Sequence, residues 1–336
     1  MKCPGESQLP LEEALRTGSF APNQIFSRSA VVAWSHRRRF DLARRLVMPH
    51  AGRRLLDYGC GDGTFLAVIS DLFPNAMGTD ADQRQVENCK QRFEKITSLS
   101  FKSVQELTDP GYQQFFDVVI CTEVLEHCLD AEANKLLHNL NGLCAQGGII
   151  IISVPVEIGP ALIVKQVVRM IAGWRRIGYY EYRERYTPKD FWRMLFADAD
   201  TSIARVVHSY GNAIGFHGHH GFNWRTLETR ISRLLTISTV RFSPLGWSRG
   251  FLSSQVWFVC NPARPKTAEL RPVEPMCQVG SDTKIHTMRC RLPAVERQTH
   301  SETRQRIPCL SQRTEIRGKE KIGPDRQTNP SVDKSS

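Results

Sequence analysis

The sequence predicts an α/β protein with a mostly parallel seven-stranded sheet, closed by a C-terminal antiparallel hairpin. Three observations point there. Short apolar runs alternate with amphipathic stretches from about residue 54 to 156. The strand-like runs are apolar throughout, as in parallel sheets covered on both faces. A glycine-rich turn, DYGCGDG, directly follows the first of them.

Each element can be justified in chain order. Residues 30–47 place Val31, Trp34, Ala43 and Leu46 among many arginines and make a helix before Pro49. Leu55 and Leu56 form a short buried strand. TFLAVISDLF is a helix with Phe65, Leu66, Ile69 and Leu72 on its apolar side. NAMGTD is a second strand ending at Asp80. The next helix covers roughly 82–96, with Val86, Cys89, Phe93 and Ile96 spaced three, four and three. A third strand spans about 99–104, and FDVVIC, residues 116–121, is the fourth. A helix around 131–144 presents Leu136, Leu137, Leu140 and Leu143, and GGIIIISVP is the fifth strand. LTISTVRF and SQVWFVC form the closing hairpin, turning near Pro244 and Gly246 and ending near Cys260.

Composition marks the boundaries. The chain carries 45 basic and 34 acidic residues, a net +11. Residues 262–336 contribute 15 basic and 9 acidic residues and keep no apolar period. We therefore expect an N-terminal extension over 1–29, a folded domain over 30–261, and a disordered basic tail over 262–336. Within the domain, 157–222 reads as an insertion able to cap a substrate. The cysteines fall on strands, helices and their junctions, no C-x-x-C pair occurs, and the N-terminus lacks an apolar signal segment. A cytoplasmic protein is the expectation. The apolar stretch after residue 149 is broken by Pro155, Glu157, Pro160, Lys165 and Arg169, so it does not read as a membrane span.

Ligands of open parallel sheets bind at the carboxyl ends of the strands. Three features converge there. The glycine turn has Asp57 two positions before Gly59, and glycines allow close backbone approach to a ligand. Asp80 ends the second strand, 21 residues after Gly59, where a carboxylate can accept ribose hydroxyls. Asp80 or Asp82 could instead cap the next helix. The third feature is CTEVLEHC, residues 121–128, directly after the fourth strand.

LLDYGCGDGTF, GTD, FDVVICTEVLEH and LCAQGGIIIISVP resemble, in order and spacing, the class I S-adenosylmethionine-dependent methyltransferases, in particular the small-molecule, quinone-biosynthesis-like type. The resemblance covers about residues 54–156, and more loosely 30–260. It implies a Rossmann-like sheet and S-adenosyl-L-methionine as cofactor. It places the methionine portion on Gly59, Cys60, Gly61 and Gly63, supported by Asp57, and the ribose on Asp80 with Ala81 beside it. Thr122 borders the same site. The adenine-side residue is usually Asp in such proteins. Here SVQEL leaves Ser103 and Gln105 as approximate candidates. A dinucleotide dehydrogenase would carry G-x-G-x-x-G, whereas Gly63 comes one position too soon for that fingerprint.

On the reaction side, His127, Glu123 and His220 are the catalytic candidates. A sulfonium methyl is already activated, so alignment supplies much of the acceleration, and an oxygen acceptor gains from a base. On a helical turn Glu123, Glu126 and His127 would share one face. EVLEH resembles quinone-biosynthesis O-methyltransferases and also small-RNA 2′-O-methyltransferases that use a Glu-Glu-His metal site. No resident metal is expected; Glu123, Glu126 and His127 are the residues that would hold one. FHGHHGFNW adds His217, His219 and His220 ahead of Asn223, a plausible helix cap.

The insertion opens with a helix over 161–171 whose apolar surface is edged by Lys165, Gln166 and Arg169. Such a helix packs on the domain, or faces a lipid or a membrane surface through 161–176. Tyr179, Tyr180, Tyr182 and Tyr186 could stack on a ring, and YTPKDF reads as a helix start with Thr187 as cap and Pro188 next. The expected function is methylation of a small or lipid-linked metabolite, on oxygen. The alternatives are RNA 2′-O-methylation, with or without a metal, and a non-catalytic cofactor-binding interaction protein. The expected partner is a small-molecule or lipid-like acceptor rather than nucleic acid.

Overall fold

A computed structural model of the chain describes residues 8–174, 186–208 and 215–263. Residues 264–336 of the expected tail and Tyr179, Tyr180 and Tyr182 lie outside these residues. The chain divides into Met1–Asp282 and Thr283–Ser336, and the second unit lies wholly outside the described residues.

Helices α1 (Gln8–Arg16) and α2 (Ala30–Val47) precede β1 (Leu55–Tyr58). Next come α3 (Thr64–Ile69), β2 (Ala76–Asp80), α4 (Gln83–Arg92), β3 (Leu99–Ser103), β4 (Phe116–Thr122), α5 (Asp130–Leu143) and β5 (Cys144–Pro155). Helices α6 (Ala161–Trp174) and α7 (Pro188–Leu195) lead to a two-stranded pair, β6 (Val207–His208) and β7 (Phe216–His217). Helix α8 (Trp224–Leu234) is followed by β8 (Thr236–Ser243) and β9 (Gln255–Asn261).

The seven-stranded sheet runs β3-β2-β1-β4-β5-β9-β8. Its first five strands are parallel, while β9 pairs antiparallel with both β5 and β8. The expected fold class is therefore the observed one. The closing hairpin enters by its second strand, so β8 forms the edge. Helices α3 and α4 are shorter than their apolar spacing implied. A tight turn carries the Leu72 N–H back to the Ile69 carbonyl just before Pro74, and α4 ends as the Phe93 N–H closes on Cys89.

Successive strand residues enter opposite cores, as strand geometry requires. Leu56, Val119, Ile150 and Ile152 join α5 and α8 residues on one face. Leu55, Val118, Ile120 and Ile151 join Phe40 and Val47 of α2, Leu66 of α3 and Val86 of α4 on the other. This two-sided burial is why the central strands read as unbroken apolar runs. Each such aliphatic side chain contributes about 1.5–3 kcal/mol, offset by the entropy of ordering the chain. Among the described residues no helix is long and apolar enough to cross a membrane.

Candidate functional site

The chain moves outward from β1 through β2 to β3, then crosses back to β4 on the other side of β1. That reversal opens a crevice beyond the carboxyl ends of β1 and β4. The glycine turn is fastened across it. The N–H groups of Gly59 and Cys60 donate to the Thr79 carbonyl at 2.8 and 2.9 Å. Gly59 has φ +81°, and a Cβ there would strike the Val124 side chain, so the turn and the loop after β4 are in direct contact. The segment before α2 packs on the same turn: the Phe20 N–H donates to Asp62 Oδ2 at 2.7 Å.

Two carboxylates sit at the base of the crevice. Asp57 is buried, and its Oδ1 has no hydrogen-bond partner among the described residues. Burial, reinforced by the charge of Asp80, pushes its pKa up to about 8. Asp80 accepts from the Gly61 N–H and the Asp82 N–H, both at 2.9 Å, yet burial still raises it. It is Asp82 that caps α4, accepting from the Arg84 N–H at 2.9 Å. A pair of dehydrated acids with spare lone pairs fits a ligand bringing positive charge and hydroxyl donors.

Cys60 and Cys121 are buried thiols held well above the usual range, Cys60 by its hydrogen bond with Cys89 and by burial, Cys121 by burial. Such thiols are structural rather than reactive. Ala81 packs against the core beside Asp80, and Thr122 ends β4 opposite Ser153. Ser103 is occupied in a capping box, its N–H donating to Glu106 at 2.7 Å. Gln105 lines a polar cavity of about 640 Å³ with Lys102, Glu106 and Tyr112.

The loop after β4 is not a helical turn, and this corrects the expectation that Glu123, Glu126 and His127 share one face. The Glu123 N–H still donates to Ser153 of β5, after which its backbone takes φ +59°. Its side chain turns toward β9 and α2: Gln255 Nε2 donates to it at 2.7 Å, and Arg39 Nη1 lies 3.7 Å away. Burial raises Glu123, opposed by Arg39 and Lys165. Lys165 is itself paired with the buried Glu157 at 2.8 Å, which sets the start of α6 beside this loop. Glu126 points elsewhere. It is fully buried, neither carboxylate oxygen has a hydrogen-bond partner among the described residues, and burial followed by the Glu123 charge raises it far above its usual range.

The β6–β7 pair docks on this loop. The His217 N–H donates to the His127 carbonyl at 3.0 Å, and His127 Nδ1 donates to the His217 carbonyl at 2.8 Å. Arg205 donates to the carbonyls of Glu126 and Gly218. The His219 ring stands edge-on to His127 at 4.9 Å, whereas His220 packs on Tyr186 at 4.6 Å. Among the predicted catalytic residues, the structure thus separates His220 from the cluster and brings His219 to it. No strand period signals this choice, because β7 ends at His217. Arg39 was also missed. It hides among consecutive arginines, and only its place beside Phe40 and four residues before Ala43 marks it as facing inward.

Beyond the crevice, an apolar cavity of about 670 Å³ lies between α6, α7 and α8, lined by Ile163, Val164, Leu195, Phe196 and Phe251, with Arg225 at its side.

The fold and crevice define an α/β domain that binds a nucleoside-bearing cofactor. A family model described as a methyltransferase domain matches residues 33–201, just over half of the chain. The chain belongs to that methyltransferase domain family, with S-adenosylmethionine as its cofactor. Similar proteins include the ubiquinone biosynthesis O-methyltransferase of Mesorhizobium japonicum, 31% identical over 28% of this chain and 38% of the relative. The Rickettsia felis protein of the same name is 28% identical over 45% of this chain and 62% of the relative. The chain thus spans less than two thirds of either relative's length. A solved structure, PH0226 from Pyrococcus horikoshii, superposes with a TM-score of 0.47 at 15% identity, covering 72% of this chain and 96% of that one.

Proposed function

We propose that this chain transfers a methyl group from S-adenosylmethionine to an oxygen of a small, apolar or lipid-linked acceptor. The observation that carries this reading is the anchoring of an apolar helix, α6, beside the loop that follows the cofactor strands, through the Lys165–Glu157 pair next to Glu123. Asp57 and the 59–63 turn would hold the methionine portion, and Asp80 the ribose. Gln105 stands on the adenine side. Bound there, the cofactor supplies an activated methyl group, and alignment is the main demand on the protein. Arg39, half-buried beside Glu123, holds that carboxylate in place together with Gln255. His127 carries its proton on Nδ1 and presents a lone pair at Nε2. Glu123 and His127 are the groups that lower the cost of removing the acceptor's proton.

The acceptor's apolar part is taken by the α6–α7–α8 cavity and the open face of α6. Peripheral membrane contact through 161–176 belongs to the same reading, and the free cysteines of the described residues accord with a cytoplasmic location. The relatives named for ubiquinone biosynthesis support a small-molecule acceptor over RNA. The test is to incubate the purified chain with methyl-labelled S-adenosylmethionine and fractionated cell extract. Label is expected in the lipid extract. Label confined to nuclease-sensitive material would overturn the reading.

A further inference from the structure

The segment ahead of α2 has no part in the methyl-transfer reading so far. The match to the methyltransferase domain begins at residue 33, so residues 8–32 lie outside it. They are nevertheless folded against the sheet. Ala14 and Ala21 are buried, and Leu11, Leu15 and Ile25 pack on the core shared by α2, α3 and α4. Ala21–Asn23 adds a turn of 3-10 helix between α1 and α2.

Three ties hold this strap, and two of them run to the glycine turn. Asp62, buried in the turn, divides its carboxylate between two partners. Oδ1 accepts from the Thr64 N–H and hydroxyl at 3.2 and 2.6 Å, at the start of α3, while Oδ2 accepts from the Phe20 N–H at 2.7 Å. Arg92, the last residue of α4, donates through Nη1 to the Ala14 carbonyl at 2.6 Å and through Nη2 to the Asp62 carbonyl. The third tie runs to α2: Arg39 Nη2 donates to Gln24 Oε1 at 3.0 Å, and Arg37 Nη2 to the Ile25 carbonyl at 3.1 Å. Between these ties Phe20 meets the cofactor turn. A Cβ added to Gly61 would lie 3.0 Å from its ring. The ring belongs to neither core and stays 43% exposed. An aromatic ring set against the turn by its own N–H, and only part covered by protein, keeps apolar surface for a ligand.

We infer that Phe20 contacts the cofactor: its ring forms a wall of the methionine subsite on Gly59, Cys60, Gly61 and Gly63, and Asp62 is the positioning residue that holds it there. The inference rests on the placement of the methionine portion made above, and adds to it a wall from outside the matched domain. A carboxylate suits the position of Asp62. It has lone pairs enough to serve Thr64 and Phe20 at once, and its charge strengthens both hydrogen bonds. One side chain thus couples the start of α3 to the strap. The consequence is kinetic. A covered site releases its ligand only when the cover opens, so the strap slows departure of the demethylated cofactor, and product release is a step that sets turnover in many enzymes.

The test is stopped-flow dissociation of S-adenosylhomocysteine from the full chain, with amide hydrogen exchange of residues 8–26 followed alongside. Phe20→Ala should release the ligand at least about fivefold faster, with thermal melting retained because the ring lies outside both cores. Phe20→Tyr should restore slow release. Asp62→Asn keeps the oxygen that serves Thr64 and turns a donor toward the Phe20 N–H. It should speed exchange over residues 8–26 and release the ligand as fast as Phe20→Ala does. In wild type, bound S-adenosylhomocysteine should slow exchange over the same residues. An unchanged release rate in Phe20→Ala overturns the inference, whether or not Asp62→Asn folds, and leaves the methyl-transfer reading standing. Wild type that binds no S-adenosylhomocysteine would count against the cofactor placement itself, and the Phe20 wall falls with it.

Discussion

Asp57 is a single residue that the fold holds in an electrostatically unfavourable place. Its carboxyl titrates near 3.8 when exposed and at about 8 in the folded chain. The unfolded chain therefore gives up its proton first as pH rises. Stability contributed by this group is fullest below the unfolded value and is lost progressively from about pH 4 to pH 8. Asp57→Asn removes that loss. Thermal melts of the cofactor-free variant should decline less over this window than wild type, while its affinity for S-adenosylhomocysteine falls at least about tenfold, two effects of opposite sign. A variant whose melting tracks wild type at every pH would contradict the assigned burial cost. Residues of this kind were legible because chemistry and spacing coincide: Asp57, Gly59 and Asp80 lie at strand ends that the apolar pattern already located. Glu126 and Arg39 were less legible. Whether a glutamate is dehydrated, or one arginine among several faces inward, depends on partners distant in sequence, such as Arg205 and Glu123.

At the scale of elements, the β6–β7 pair has the largest consequence for its size. It contributes no bulk to the core, yet its backbone fixes the tautomer and orientation of His127. Both hydrogen bonds between His217 and His127 come from the main chain of residue 217. The imidazole of His217 is therefore dispensable and its N–H is not. His217→Ala should leave the His127 ring unchanged in ¹⁵N NMR, with Nδ1 still protonated. His217→Pro removes the donor to the His127 carbonyl and should convert that ring to a mixture of tautomers, with loss of any activity that depends on it. Equal spectra for the two variants would show that the hairpin does not position His127. No periodicity announces strands of two residues each, and FHGHHG reads as a loop. The parallel strands were visible for the opposite reason, since burial on both faces writes an apolar run into the sequence. The loop after β4 misled because i, i+3, i+4 spacing has meaning only on a helix, and the Glu123 backbone continues its contact with β5 before turning left-handed.

At the scale of the whole molecule, the central strands are buried on both faces, while α6 exposes apolar side chains among the described residues. Helix α6 buries Ala161 and Leu162 but leaves Val167, Met170, Ile171 and Trp174 exposed, Trp174 by 81%. Trp192, Phe196 and Phe251 add aromatic surface on neighbouring segments. The chain also carries a net +11, and much of that excess follows residue 261. Two forces could thus bring it to an anionic bilayer, and they separate experimentally. Electrostatic attraction fades with salt, whereas insertion of apolar side chains persists. Burying a large apolar side chain contributes about 1.5–3 kcal/mol, so losing two from an interface weakens binding by well over tenfold. Sedimentation with phosphatidylglycerol vesicles at raised salt should therefore retain wild type and release Ile171→Glu/Trp174→Glu. Binding of S-adenosylhomocysteine should be untouched in that variant, because neither side chain approaches Asp57 or Asp80 through any described contact. Removal of residues 264–336 should weaken binding at low salt and leave the high-salt component in place. If the tail deletion abolishes binding under both conditions and the double variant binds like wild type, attraction is purely electrostatic. The exposed face of α6 must then serve the acceptor rather than the bilayer.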